Sequence, residues 1–372
     1  MFSSFKSRVF HAMKKEAMLD LYSDYLLSVS GIASATGLSA VSGNEVSHDS
    51  VSNFLSYNQY GSKDLWLAVK PLIRKIEDGS GVLIVDDTIQ EKTYTDENTI
   101  VCWHFDHSKG RSVKGVNLLS LVASYDGVAV PVAYEVIQKD EKYTDAKDGK
   151  AKRRSRKTKN ALFLEMFDAS IANQVKFRYA LADSWFSSGE NMEHIKITKR
   201  KDFIFALKDN RTVACSVADK LSGKFHPLSS LKLAENTATQ VYIKGLEFPV
   251  LVTKRIFINA DNSEGILYLA ASDLELDGTT IAQIYQKRWK IEEYHKSLKQ
   301  NAAFAKSPAK TVRTQANHIF ASLYAFCKLQ VIACGQKLNH FALRAKLLLE
   351  ANKRAFQDLR KVKLPCSILS TP

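Results

Sequence analysis

Apolar and polar positions follow one another in three different textures along the chain. Through residue 78 the spacing is helical, with no convincing strand. Within it, GIASATGLSAVSGNEVSHDSVSNFLSYN predicts a short helix, a turn at Gly43 and a second helix opened by Ser47. Ser47, Asp49 and Ser50 suit a helix start, because short polar side chains accept from the free amides of a first turn. Val51, Phe54 and Leu55 keep the spacing of a buried stripe and leave His48, Ser52 and Asn53 to face a groove. From Gly81 the texture turns to strands. GVLIVDDT is a compact apolar run ending in acid, and GVNLLSLVASYDGVAVPVAYEVI reads as a hairpin turning at Asp126-Gly127. Leu162, Met166, Phe167 and Ile171 mark a helix, Phe177 to Ala182 a short strand running into Asp183, and Ser187 to Lys199 another helix. Residues 201–264 read as antiparallel strands with turns at Gly245 and Asp261-Asn262. GILYLAAS, residues 265–272, is again a buried strand. Thr280 and Gln283 form a capping-box pattern that opens a long helix, closed by Ser307-Pro308, and the chain from Thr311 on is helical.

With the strand-rich stretch set aside, the order is three strands, helix, strand, helix, strand, helix. That is the α/β layout of a ribonuclease H-like core. The expected organisation is a helical DNA-binding region at 1–78, a core at 79–200 and 265–306, a β-rich insertion at 201–264, and a helical C-terminal region at 307–372.

Charge narrows the partner. The 372 residues are 45% apolar, enough to bury a large core, which excludes disorder throughout. The net charge of +14 calls for a polyanion, nucleic acid before an anionic membrane. No uninterrupted apolar run reaches the ~18 residues of a membrane span, so none is expected. The N-terminus lacks the apolar segment of a signal peptide. Five scattered cysteines fit neither zinc spacing nor a disulfide framework, and a reducing cytoplasm is the expected home. The run KAKRRSRKTK at 150–159 carries seven basic residues, among them Lys152, Arg153, Arg154 and Arg156. It reads as a solvated loop or, on an enzyme that grips a polymer, as a phosphate contact.

Two acids, Asp86 and Asp183, stand at strand ends, where α/β folds place their chemistry. Each alone has a plain alternative, a turn for Asp86 and a helix cap for Asp183. The long helix is more specific. In IYQKRWKIEEYHKSLKQ, Tyr285, Arg288, Glu292 and Lys299 are spaced by 3, 4 and 7 residues. At ~100° per residue they fall within about 60° of one helix face. A solvated charge face is the plain alternative, but an aromatic, a cation, an acid and a cation in one narrow row is unusual for it.

Tyr285-x2-Arg288-x3-Glu292-x6-Lys299 resembles the third block of bacterial DDE transposases of the insertion-sequence-four type. Asp86 in VDDT resembles their first block and Asp183 in LADSWFSSGE their second, so the likeness covers about residues 80–330. It implies a catalytic and metal-binding triad of Asp86, Asp183 and Glu292, with Asp87 and Glu293 set aside because they break the block spacings. It implies two divalent cations, Mg2+ or Mn2+, with Tyr285, Arg288 and Lys299 against DNA. The chemistry agrees, since hard cations want oxygen ligands and need no His or Cys. The 109 residues between Asp183 and Glu292 leave room for the β-rich insertion such proteins carry, in which Tyr242 and Phe248 are by type alone candidates to meet a flipped base, core packing being the favoured reading for both. The implied activity is cut-and-paste transposition: a homodimer on paired terminal inverted repeats cuts them and joins the 3′-hydroxyl to target DNA, at the nucleoid of a bacterial cytoplasm. The alternatives are a metal-dependent nuclease that cuts without joining and a domesticated DNA-binding protein that has lost its chemistry.

Overall fold

The computed structural model describes residues 15–107, 109–146, 149–259 and 261–362. The first fourteen residues of the expected DNA-binding region and the last ten of the tail, with Cys366, lie outside them.

Four helices lead: α1 (Lys15–Ser28), α2 (Ala35–Val41), α3 (His48–Tyr57) and α4 (Ser62–Ile76). The core follows as β1 (Val82–Glu91), β2 (Cys102–Asp106), β3 (Arg111–Tyr125), β4 (Val128–Val136), the small hairpin β5 (Glu141–Thr144) and β6 (Ala151–Arg154), α5 (Lys159–Ala172), β7 (Tyr179–Ala182), α6 (Gly189–Glu193) and β8 (Asp202–Leu207). Then come β9 (Thr212–Ala214), α7 (Val217–Leu221), β10 (His226–Pro227), β11 (Thr239–Ile243), β12 (Val250–Ile258) and β13 (Glu264–Ala271). The chain closes with α8 (Gly278–Gln286), α9 (Trp289–Asn301), α10 (Val312–Gln336) and α11 (His340–Lys361).

One sheet of eleven strands runs β10-β9-β11-β12-β13-β8-β7-β1-β3-β2, with β4 also on β3. Its centre is compatible with the expected ribonuclease H-like layout. β1, β7 and β8 are parallel neighbours, while β3 and β4 are antiparallel to their partners. The hairpin forms at Asp126-Gly127, both residues having positive φ, as a two-residue turn between right-twisted strands requires.

Three expectations about the strands change. Asp202–Leu207, expected to open the insertion, is instead the strand parallel to β7, and Glu264–Ala271, expected as that core strand, pairs antiparallel to it. β13, β12, β11, β9 and β10 extend the same sheet beyond β8. β2 was not foreseen; Cys102 and His104 turn inward from it while Trp103 and Phe105 face out. The basic run is a loop only in part: Ala151–Arg154 form β6, which pairs with β5, and Arg153, Arg154 and Arg156 meet Glu97, Glu141 and Asp140.

The long helix is interrupted. Its cap is Asp277, whose carboxylate accepts from the Thr280 amide, in place of the Thr280–Gln283 box. Gly278 is needed at its first turn, since a Cβ there would lie 2.2 Å from the Asn236 carbonyl oxygen. Around Lys287-Arg288 the amides of residues 287, 288, 290 and 291 bond three residues back, so the helix tightens and α8 gives way to α9. The helix also stops at Asn301, well before Pro308, where Ala303 takes a positive φ.

The N-terminal helices share a core with α10. Ser47 caps α3 and Val51, Phe54 and Leu55 are its buried residues. Asn317 of α10 donates to the carbonyls of Leu55 and Asn58 and accepts from the Tyr60 amide. Tyr60 stacks on Phe320 with ring centres 4.2 Å apart, and Tyr22 meets His318 at 2.9 Å. Residues 1–78 and 307–372, expected as separate regions, are therefore coupled through these buried contacts. By length and apolarity α10 passes for a membrane span, yet most of its apolar stretch is buried as this core. Cys102, Cys215, Cys327 and Cys334 are free thiols.

Candidate active site

The two aspartates are brought together by strand register. β1 and β7 pair in parallel, Val82 opposite Tyr179 and Ile84 opposite Leu181. That register, continued two residues past the paired stretch, brings Asp183 to the side of Asp86, and the Asp183 charge acts on the Asp86 carboxyl. The ligand atoms that gather within 4.8 Å are those of Asp86, Glu292 and His295 and not of Asp183. β7 ends at Ala182, which frees Asp183. Asp86 does not end its strand as expected, because β1 runs on to Glu91 against β3. Side chains alternate along β1, so Asp87 turns to the opposite face. There its Oδ2 accepts from Asn117 Nδ2 at 2.7 Å and Lys159 Nζ at 2.8 Å.

α9 carries the third acid over the face that holds Asp86. Ile291, Tyr294, His295 and Leu298 are buried beneath it, and the Tyr294 and Ser120 hydroxyls bond at 3.1 Å. Despite the break in the helix, the polar row converges. Arg288 Nη1 donates to Asp86 Oδ2 at 3.1 Å, and its Nη2 lies 3.6 Å from Glu292 Oε1. Tyr285 packs beside the guanidinium, its ring centre 5.9 Å away. Lys299 Nζ donates to the Ile89 carbonyl on β1 at 3.1 Å. Glu293 points elsewhere and pairs with Lys290. Phe248 packs against Phe203 at the core, and Lys220 lies over the Tyr242 ring, so neither stands in this row.

His295 was missed. Donor atoms of Asp86, Glu292 and His295 lie within 4.8 Å of one another, and the buried His295 Nε2 has no partner among the described residues. The signal was present, since His295 is three residues after Glu292 and so on the same helix face. Two carboxylates with an unsatisfied imidazole nitrogen beside them, and Asp183 on the next strand, fit a divalent cation.

Electrostatics mark the same spot. The Asp86 carboxyl is pushed up to about 7, first by burial, then by the Asp183 charge, with Glu292 adding and Arg288 opposing. Burial works against the Arg288 charge, but Tyr285, Asp86, Glu292 and Asp183 together hold its pKa above the ordinary value. Burial pulls Lys299 below its usual value. Tyr285 is pushed up to about 12, again mainly by burial, and buried His295 is pushed down to about 3 and is neutral. Carboxylates crowded until one keeps its proton are common where a cation or a proton is to be handled.

A family model described as DDE superfamily endonuclease matches residues 2–224. The chain belongs to this family. A search of curated proteins found no match. The match spans Asp86 and Asp183 and stops before Glu292 in this DDE superfamily endonuclease.

The basic run lies on the β5–β6 hairpin, apart from this row. Lys152 meets Asp145, Lys157 meets Glu165, and Lys159 reaches Asp87. Its charges are thus already shared with acids of the chain.

Family membership also makes a pH dependence expected. Asp86 must lose its proton to accept a cation, and its pKa of about 7 lies above the ~3.9 of a free aspartate. Protons therefore compete below pH 7, and metal affinity rises with pH up to that point, by as much as about tenfold per unit. Mn2+ binding followed by paramagnetic resonance from pH 5.5 to 8.5 checks this. An affinity that is flat from pH 6 to 8 would contradict the crowded-carboxylate picture. The raised pKa has the matching sign for folding: this group's stability contribution is full below pH ~4 and lost as pH rises through 7.

Proposed function

We propose that the chain is a cut-and-paste DNA transposase. It binds the terminal inverted repeats of a mobile element, hydrolyses a strand to free a 3′-hydroxyl, and joins that end to target DNA. The observation that carries the reading is the gathering of Asp86 and Glu292 around Arg288 on the inner strand β1, with Asp183 at the end of the neighbouring strand β7 and Lys299 held on the Ile89 carbonyl. Carboxylates alone would serve any metal, and cations alone any polyanion. Side by side they suit a phosphodiester.

The three carboxylates would hold two Mg2+ or Mn2+ ions, which would supply activation of the attacking oxygen and charge neutralisation at the leaving one. The other side chains position. Arg288 keeps Asp86 and Glu292 together and offers its remaining donors to a phosphate oxygen. Lys299, anchored on the Ile89 carbonyl, adds a point charge. Tyr285 packs against the DNA backbone and limits how far Arg288 can swing. His295, neutral and buried, gives the site a nitrogen donor. Residues further out grip the duplex. The α2–α3 pair, turning at Gly43 and Asn44, presents His48, Ser52 and Asn53 to the end repeat. Lys152, Arg153, Arg154 and Arg156 exchange their acidic partners for phosphates, which makes this contact steeply salt-dependent. A homodimer holds two ends so that they are cut in concert, in a bacterial cytoplasm at the nucleoid.

The test is a strand-transfer assay with the element's own end DNA and a supercoiled target. A nuclease without transfer activity would nick the ends and leave no joined product. A domesticated binder would do neither.

A further inference from the structure

Beside the acidic site runs a row of exposed rings. β2 closes the sheet at this end, and its alternation turns Trp103 and Phe105 outward, 54% and 53% exposed. Phe105 meets the edge of His107, in the turn to β3, with ring centres 4.9 Å apart. His107 in turn meets Trp185, with ring centres 5.5 Å apart and planes tilted by 57°. Trp185 is itself 48% exposed. Its backbone is tied to one of the acids, because the Trp185 amide donates to Asp183 Oδ1 at 2.9 Å. Lys159 Nζ lies 5.8 Å from the centre of the Trp185 ring and also bonds Asp87, the neighbour of Asp86. The row thus leads from the two acid-bearing strands outward along β2.

Single exposed rings need no explanation, but a contiguous row does. Its composition says what would cover it. Lys159 lies over the Trp185 ring, Arg111 stands opposite Asp106 next to Phe105 in the strand register, and Lys114 stands opposite Trp103. A hydrophobic protein surface gains nothing from those cations. A nucleic acid strand gains from both, stacking its bases on the rings and placing its phosphates by the ammonium and guanidinium groups.

We propose that Trp185, His107 and Phe105 form a stacking platform for unpaired bases of a DNA strand at the mouth of the active site. The proposal rests on the reading that this protein acts on DNA. The platform lies on β2 and the segment after β7, in the core, and not in the inserted strands. It favours ends that are open or easily opened, since a paired base shows no free face. Stacking is tolerant of sequence, so the platform selects for strand opening and leaves base identity to other contacts.

The test uses the full chain without divalent metal, so that no strand is cut. Two probes are compared: a blunt duplex, and the same duplex with a short unpaired adenine tail whose first base is 2-aminopurine. Wild-type protein is expected to bind the tailed probe about tenfold more tightly and to quench its 2-aminopurine. Trp185→Ala and Phe105→Ala each remove most of that preference and of the quenching, with blunt-duplex affinity unchanged. Trp185→Phe retains most of both, which separates stacking from folding. Preference and quenching that survive in Trp185→Ala would overturn the platform, as would an equal loss on both probes. A wild-type protein that binds the blunt duplex but shows no preference also overturns it, whereas one that binds neither probe overturns the DNA reading itself.

Discussion

Asp86→Ala, Asp183→Ala and Glu292→Ala are each expected to lower strand cleavage by about a thousandfold or more while leaving affinity for duplex DNA within a few fold. A cation that activates the nucleophile and steadies the leaving oxygen supplies several kcal/mol, and each tenfold in rate is ~1.4 kcal/mol. In the proposed reading the three acids serve that cation and not DNA. Asp86 is largely buried and already crowded by Asp183 and Glu292. Cutting a negative charge near a phosphate can even tighten DNA binding slightly. Gel-shift affinity, Mn2+ binding and nicking are measured on the same preparations. Asp87→Ala is the contrast: its carboxylate faces the other side of β1, held by Asn117 and Lys159, and nicking should stay measurable. If Asp86→Ala nicks near the wild-type rate, or Asp87→Ala alone is dead, the wrong aspartate has been named.

Arg288→Ala is expected to lower cleavage by about a hundredfold, and Lys299→Ala by somewhat less, with strand joining hit at least as hard as first nicking. Arg288 bridges two of the acids, so its loss both misplaces them and removes a phosphate donor, and a shift of ~1 Å alone can cost about a hundredfold. Arg288→Lys should restore only part, because a point charge cannot hold Asp86 and Glu292 at once. Lys296 is the control. It is exposed on α9 over the Phe341 ring, whereas Lys299 is half-buried against β1. A parallel time course of nicked and joined products for the four variants reads this out. Equal damage from Lys296→Ala and Lys299→Ala would contradict the placement of the row.

What could be read from the chain was mostly local. Asp126-Gly127 announced its hairpin because those residues tolerate positive φ, and Ser47 with Val51, Phe54 and Leu55 announced α3 through its cap and its stripe. The spacing from Tyr285 to Lys299 found the polar row even though the helix breaks at Lys287-Arg288, where neither Gly nor Pro gives warning. What was missed depends on partners distant in sequence. KDFIFALKD looks like any antiparallel strand, and only its pairing with β7 makes it part of the parallel centre. The basic run looked free because Glu97, Asp140, Glu141 and Asp145, which face it, precede it in the chain and meet it only once the hairpin closes. Trp185 and Phe105 lie far apart in the sequence and are joined only through His107 in the folded chain.

The central claim is that Asp86, Asp183 and Glu292 hold divalent cations on a DNA phosphate. It is tested most directly by single-turnover nicking of end DNA bearing a sulfur in place of a non-bridging oxygen at the scissile phosphate. The account predicts that one of the two sulfur isomers is cut very slowly in Mg2+ and that Mn2+, which accepts sulfur more readily, restores the rate. Nicking that persists in excess chelator, or a sulfur effect identical in Mg2+ and Mn2+, would contradict it.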